Sequence, residues 1–576
     1  FPGLGWSWFC SFGHKACLGR TLMIDILTNE SFLFLLALSI IAALGMNIVY
    51  ATGQLNLGQA GFMAVGAYTT AVTDNVLGWP FVASLAAGAL AAGLVALPVA
   101  WGANRIRGVY LIMGTLAVGE LVRITIGNVD SVGGLQGYFG ITPATLTQVT
   151  AVLLVAIIFT TVLLKSSLGL RMRSIFDDED ASAAAGVSTR RVKITSVVIS
   201  AAMVGLAGGV MAKWLLFIAP HNFGLELSFR VALFTLIGGV HSVLGAIFGA
   251  FFVTYLLEAL RVLGGSDATP EWLQFVGPWR QVIYGIFIMI LMVVRPEGII
   301  SRQWDLAISR PFRSLGRQLR PASKEALSSK PQANQPLAAG LEKRGSRDAV
   351  RKPILQVDKV SHRFDGIVAL SDVSLVVNES EILALIGANG AGKTTMINVV
   401  SGRFHLQDGS IRLLDSELAS LAADKRVKAG VSRTFQSVRM FAHLTVAENL
   451  RLGQMASGGR ETPSVAELVA LLGLEGKLDN LPDSLTLAEQ RKLEIGRAIA
   501  SSPLVVFLDE PSVGMNELER AELASLIKTV RDRGTAVVLV DHNLDLALSL
   551  ADRVVVLDFG ELLAEGRPSE IINNPQ

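Results

Sequence analysis

The sequence predicts two joined bodies: a polytopic α-helical membrane domain of about eight or nine spans, then a soluble α/β domain built round a phosphate loop. Three observations carry this. Long uncharged runs fill residues 31–295, whereas 353–576 has the mixed composition of a soluble α/β domain. The whole chain, 576 residues of which 51% are hydrophobic and with a mean hydropathy of +0.50, is too apolar for one soluble enzyme of that length. The second half also carries a glycine-rich loop with Lys and Thr at its end, directly after an apolar strand.

Apolar windows close to the length of a bilayer crossing occur at 31–51, 80–102, 148–165, 194–219, 242–262 and 281–295. Weaker, glycine-broken windows lie at 57–76, 108–127 and 229–240. One such window can be a buried core helix, but no soluble core needs a series this long. Some crossings are expected to be short, tilted or re-entrant. Glycine and alanine pairs, as in "AALGMNI", "SLAAGALAAGL" and "GLAGGVMA", suit helices packed closely inside a membrane. Two pairs at helical i, i+3 spacing, Glu120 with Arg123 and Glu258 with Arg261, fall near these windows, where ionisable groups are costly. Their spacing allows mutual pairing as readily as contact with a solute.

The first thirty residues hold polar and aromatic breaks ("FPGLGWSWFCSFGHK") and no clean apolar core before a small-residue site, so no signal peptide is read there. Phe1 in place of methionine is expected of a fragment or a processed product. Cys10 and Cys17 are too few for a disulfide framework and poorly spaced as a metal signature, which leaves structural or incidental thiols. The net charge of +2 averages two unlike halves and points to no partner.

The longest polar interruption is 166–193, "SSLGLRMRSIFDDEDASAAAGVSTRRVK". Its Arg171, Arg173, Arg190, Arg191 and Lys193, like Arg295 after the last span, are placed in the cytoplasm by the positive-inside tendency. Its middle, "DEDASAAAG", reads equally as a helix lying on a partner surface and as a solvated acidic turn. Residues 301–352 hold 12 Lys or Arg against 4 Asp or Glu with scattered Pro, Ser and Gln, and show no sustained period. They read as a basic tether suited to anionic headgroups, and a nucleic-acid role has little support. The expected division is thus a membrane domain over 1–300, a linker over 301–352 and a soluble domain over 353–576.

In the soluble half, the apolar strand Ile382–Ile386 runs into "GANGAGKTT" (387–395), with a helix to follow. Gly387, Asn389, Gly390, Ala391 and Gly392 would bring backbone N–H groups to phosphates, with the helix N-terminus aimed at the charge. Lys393 would reach the outer phosphates, Thr394 would ligate Mg²⁺, and Thr395 completes the motif. A second apolar strand, "LVVFLDE", ends in Asp509, a candidate metal ligand, and Glu510, placed to polarise an attacking water. A third, "TAVVLVDH", ends near His542, which could sense the γ-phosphate.

Together these residues resemble an ATP-binding cassette (ABC) domain across essentially all of 353–576. The resemblance rests on "GANGAGKTT", on "RTFQ" ending in Gln436, on "FLDEP" (507–511) and on "VDHN" (540–543). It implies that Phe364 stacks on adenine and that Gln436 couples Mg²⁺ to the membrane domain. More narrowly, "RTFQSVRMFAHLTVAENL" and "VLDFGELLAEGRPSEII" look like the ATPase subunit of bacterial branched-chain amino acid importers. The membrane half resembles the permease of that system in "GMNIVYATGQLNLGQAGFMAVGAY", "RGVYLIMGTLAVGELVRI", "GGVHSVLGAIFGA" and "VVRPEGII". "DDEDASAAAGVSTRRVKITSVVISA" matches the family's cytoplasmic coupling segment, which favours partner contact for the polar loop.

What the resemblance implies is a fused permease and ATPase of a bacterial inner membrane, with its ATPase domain in the cytoplasm. It would use ATP and Mg²⁺ to import a branched-chain amino acid or a related small polar solute. Its partners would be a second permease, an extracytoplasmic solute-binding protein and, in a heteromeric assembly, a second ATPase. Urea, amides and aromatic acids are alternative cargoes, since no residue here discriminates among them. An exporter or an ATP-gated signalling module is a weaker alternative, because the short loops lack an exporter's long helical extensions.

The family's signature, usually Leu-Ser-Gly-Gly-Gln, aligns with Leu485, Thr486, Leu487, Ala488 and Glu489. It would complete a phosphate site on the partner's nucleotide. Read from the residues alone, the stretch is an amphipathic helix capped by Ser484 or Thr486, with Leu493, Ile495 and Ile499 inward. Thr486 keeps a hydroxyl, but Leu487 and Ala488 replace two glycines, and Glu489 replaces a neutral glutamine. An asymmetric pair of nucleotide sites is therefore expected.

Overall fold

The computed structural model describes residues 28–106, 108–240, 242–265, 276–295, 298–300 and 352–572. The thiols and leader reading of the first residues, and almost all of the basic tether, lie outside this range. The chain divides into two compact units, one of 1–172 with 190–320, the other of 173–189 with 321–576.

The first unit is helical: α1 Glu30–Tyr50, α2 Gln59–Asn75, α3 Phe81–Ala103, α4 Val109–Gly127, α5 Leu146–Lys165, the start of α6 (Ser167–Asp177), α8 Thr189–Leu215, α9 Leu225–Gly238, α10 Val243–Gly265 and α11 Val276–Val294. Seven of them are long and apolar enough to cross a membrane, namely α1, α3, α4, α5, α8, α10 and α11. The other two apolar helices, α2 with 17 residues and α9 with 14, are the short ones, at two of the three glycine-broken windows. Side-chain caps fix some starts: Asn29 accepts from the amides of Ser31 and Phe32, and Thr145 forms a capping box with Gln148.

The glycine pattern produces backbone contact between helices. A Cβ on Gly66 of α2 would sit 2.1 Å from the Gly205 carbonyl of α8, and one on Gly208 would sit 2.0 Å from that of Met63. Gly88 of α3 meets the Gly66 carbonyl in the same way and also the Thr70 hydroxyl. In contrast, α4, α5 and α11 leave many apolar side chains exposed, among them Tyr110, Leu121, Ile158 and Val293. Glu120–Arg123 (2.7 Å) and Glu258–Arg261 (2.6 Å) pair with each other. A third pair was not anticipated: Lys213 Nζ lies 2.7 Å from Asp74 Oδ1, with side chains 1% and 4% exposed. Thr142 joins them, donating from its amide (2.9 Å) and its hydroxyl (2.8 Å) to the Asp74 carboxylate.

The second unit is α/β. A six-stranded sheet has the order β10–β9–β3–β8–β7–β6, where β3 is Ile382–Ile386, β6 Val431–Arg433, β7 Val505–Asp509, β8 Ala536–Val540, β9 Arg553–Asp558 and β10 Glu561–Gly566. All of its pairings are parallel except β9 with β10. Strands β7 and β8 are buried along their whole length, as parallel strands covered on both faces must be. One face carries Leu383, Leu385, Val505, Phe507 and Val538, and the other Ile382, Ala384, Val506, Leu508 and Val537. A four-stranded antiparallel sheet, β2–β1–β4–β5, is made of β1 Pro353–Phe364, β2 Ile367–Asn378, β4 Asp408–Leu413 and β5 Ser416–Glu417. The helices are α12 Lys393–Val400, α13 Ala423–Ala429, α14 Val446–Gln454, α15 Val465–Leu472, α16 Leu487–Ile499, α17 Glu517–Asp532, α18 Leu544–Leu550 and α19 Pro568–Ile572. The permease-side segment 173–189, holding the end of α6 and α7 (Glu179–Ala184), belongs to this unit.

Candidate nucleotide and coupling site

Because β3, β7 and β8 run parallel, their C-terminal ends emerge along one edge of the sheet, where ligand sites of α/β folds form. Three predicted groups therefore converge although they lie far apart in sequence. From β3 the chain enters the loop 387–392. Gly387 has φ 153°, and a Cβ there would lie 2.1 Å from the Leu557 carbonyl of β9, so only glycine fits. Gly392, with φ 97°, is the N-cap of α12. Asn389 and Gly390 are exposed, Ala391 is buried, and Thr394 is exposed at the start of α12 beside the half-buried Thr395. Lys393 Nζ donates to the Gly387 (2.7 Å) and Ala388 (2.8 Å) carbonyls, which close the loop on itself. Burial pulls this ammonium below the ordinary lysine range, against the opposing pull of Glu510 and Asp509.

Asp509 ends β7. It is 1% exposed, and neither carboxylate oxygen has a hydrogen-bond partner. Burial raises its pKa, while Arg433 lowers it. A buried, unpartnered carboxylate is costly, and its two free oxygens, like the exposed Thr394 hydroxyl, are hard donors of the kind Mg²⁺ takes. The residues present therefore fit that ion.

The next residue, Glu510, has φ 50°, a left-handed backbone unusual for a non-glycine residue. Its Oε1 accepts from Gln436 Nε2 at 3.0 Å and lies 2.7 Å from His542 Nε2. A carboxylate held by two donors at the mouth of a phosphate loop can orient a water for in-line attack. Phe364, at the end of β1, is 39% exposed and edge-on to His362 (4.6 Å) and Phe404 (5.3 Å), leaving a face open for a flat ligand.

Leu485 to Glu489 form the entry to α16. Thr486 is the N-cap: its Oγ1 accepts from the Glu489 amide, and the Glu489 carboxylate accepts from the Thr486 amide. Leu485 and Ala488 are buried, whereas Leu487 is 54% exposed. Glu489 also pairs with Lys477 at 2.5 Å, a hydrogen bond that pulls its pKa down. Of the two caps the sequence allows, Ser484 and Thr486, the structure uses Thr486; Lys477, twelve residues upstream in a loop, had no local signal.

Charged residues of 173–189 meet opposite charges of the ATPase. Asp178 lies 3.0 Å from Arg439, Asp180 2.9 Å from Arg403, and Arg173 3.0 Å from Glu448. Asp177 accepts from the His443 amide (3.1 Å) and pairs with its ring. The polar loop is thus a contact surface.

Residues 29–293 match the family described as branched-chain amino acid transport system / permease component, and residues 370–513 match ABC transporter. The high-affinity branched-chain amino acid transport ATP-binding protein LivG of Salmonella typhimurium is 37% identical over 243 residues, covering 39% of this chain and 95% of LivG. The chain belongs to the branched-chain amino acid ABC transporter family. BraF, the corresponding ATP-binding protein of Pseudomonas aeruginosa, is 35% identical over the same share of each chain. A solved ATP-binding cassette of an ABC transporter, in its ADP conformation, is 25% identical with a TM-score of 0.36, covering 39% of this chain and 96% of that one. This ABC transporter chain joins permease and ATPase in one polypeptide. It is a multi-pass membrane protein that couples ATP hydrolysis to transport.

Proposed function

We propose that this chain imports a branched-chain amino acid, or a related small polar solute, across a bacterial inner membrane, with its ATPase in the cytoplasm. The observation that carries the substrate class is the joint match of one polypeptide to the permease description and, over 243 residues, to LivG. A second permease, a second ATPase and an extracytoplasmic solute-binding protein complete the machine.

In this reading Gly387–Gly392 cradle the phosphates, Lys393 leaves its loop carbonyls to meet the outer ones, and Phe364 covers adenine. Asp509, Thr394 and Gln436 would hold Mg²⁺, which when bound neutralises charge on the phosphates. Glu510 orients the attacking water, Gln436 and His542 keep its carboxylate in place, and His542 senses the γ-phosphate. Movement of the cassette reaches the helices through 173–189.

The two nucleotide sites of the assembly are unequal. Thr486 and Glu489 are engaged with each other in a capping box, Glu489 brings a negative charge held by Lys477, and Leu487 stands where backbone would approach a phosphate. The site built on Lys393 and Glu510 turns over; the site that uses Leu485–Glu489 binds ATP and turns it over slowly. The test is uptake of labelled leucine, isoleucine or valine into vesicles holding the full assembly, with each candidate binding protein inside or outside. Solute moving outward, or ATPase activity indifferent to every binding protein, would overturn the import reading.

A further inference from the structure

Helix α16 carries three ionisable side chains where its period calls for a core face. Arg491 and Glu494 are 4% and 1% exposed and lie 3.0 Å apart, and Arg497 is buried beside them. Burying such a pair rarely stabilises a fold more than two packed apolar side chains would. What the ions do here that leucines could not is grip main chain.

Arg491 Nη1 donates to the Phe435 carbonyl at 2.7 Å, and its Nη2 to the Gln436 carbonyl at 2.8 Å. Glu494 Oε1 accepts from the amides of Phe435 (3.3 Å) and Arg439 (3.4 Å). One turn on, Arg497 Nη2 donates to the Arg439 carbonyl at 2.6 Å. The segment 435–439 is thus held at both ends by three residues of one helix, and from its middle the Gln436 side chain reaches Glu510 at 3.0 Å. The planar guanidinium fork holds two carbonyls one residue apart in a fixed geometry, which a rotating ammonium point charge on a flexible stem does not impose.

We infer that Arg491 and Glu494 are positioning residues that set Gln436 against Glu510, so that the helix begun by Thr486 governs the geometry of this chain's own hydrolytic carboxylate. The inference rests on the reading of Glu510 as that carboxylate. The same segment ends in Arg439, bound to Asp178, so the hydrolytic site and the permease-side contact share one short stretch of backbone.

The experiment measures steady-state ATPase of the full assembly in vesicles for Arg491→Lys, Glu494→Gln and Gln436→Ala, and for each of the first two combined with the third. Each single change is expected to lower kcat by about tenfold with the KM for ATP within about twofold. Each double variant is expected to equal Gln436→Ala alone, since the positioning residues act only through Gln436. Losses that multiply in the doubles, or a raised KM at unchanged kcat, would overturn the inference. Should Arg491→Lys fail to fold, the isosteric Glu494→Gln carries the test. Glu510→Gln separates the two readings: full turnover there removes the catalytic reading and this inference together, whereas a dead Glu510→Gln with multiplying doubles removes the inference alone.

Discussion

Removing Lys213 should leave one of the most completely buried carboxylates of the membrane unit without its counter-charge. The pair is 2.7 Å long, and its attraction at an effective dielectric constant of 20 is about 6 kcal/mol. Desolvating two ions at 1% and 4% exposure cancels most of that, so the intact pair contributes little net stability. Its value appears when half of it is lost. Lys213→Met leaves Asp74 with Thr142 as its remaining donor and should cost about 3–5 kcal/mol. The double variant Asp74→Asn, Lys213→Met removes both charges and should recover most of it, giving a coupling of about 3 kcal/mol. A single cysteine at the buried Ala71, with Cys10 and Cys17 replaced by serine, reports opening of this unit during detergent denaturation. Additive losses, or a Lys213→Met effect below about 1 kcal/mol, would refute the reasoning.

Glu510→Gln should lower kcat by about 10²- to 10⁴-fold while nucleotide still binds, as read by single-turnover hydrolysis and a nucleotide-binding titration. Thr486→Ala should cost far less turnover in the same assay, and comparable losses from both changes would sink the unequal-sites model. Gly387→Ala should abolish nucleotide binding, measured by fluorescent-nucleotide titration, because its Cβ collides with the Leu557 carbonyl. The Lys477–Glu489 pair depresses the carboxylate's pKa, so its contribution, about 0.2–1 kcal/mol, is full above the unfolded value of 4.5 and is lost as pH falls through the lower folded value. Lys477→Met should flatten the fall of the stability–pH curve below pH 4.5, read by urea titrations.

The spans were legible because a bilayer imposes a length and a composition that nothing else in the chain imitates, and the structure puts a helix at each of the nine windows. The phosphate loop was legible because glycine spacing, lysine and a preceding strand are all local. Pairing across distance was not. Asp74 and Lys213 are 139 residues apart, and neither has a charged neighbour on its own helix turn. A lone charge in an otherwise apolar window was the available signal, and it identifies the residue without naming its partner. The Arg491–Glu494 pair was hidden differently. Leu493, Ile495 and Ile499 are inward as their spacing predicts, but nothing local in the sequence marks Arg491 and Glu494 for the 435–439 backbone that they bind. For the polar loop, charge alone left contact and solvation equal; the facing Arg403, Arg439 and His443 decided it.

Helices α2 and α8 touch through main chain, at Gly66 with Gly205 and at Met63 with Gly208. Such a contact contains no rotamer that could change to absorb a displacement. The two helices form one stiff element, and α8 begins at Thr189, where the ATPase-bound segment ends. In the proposed coupling, a push on that segment would reach α8 and α2 together. Compliance has to come from elsewhere, and α5 and α11 can supply it, because their outward-facing side chains are not locked against a neighbouring backbone.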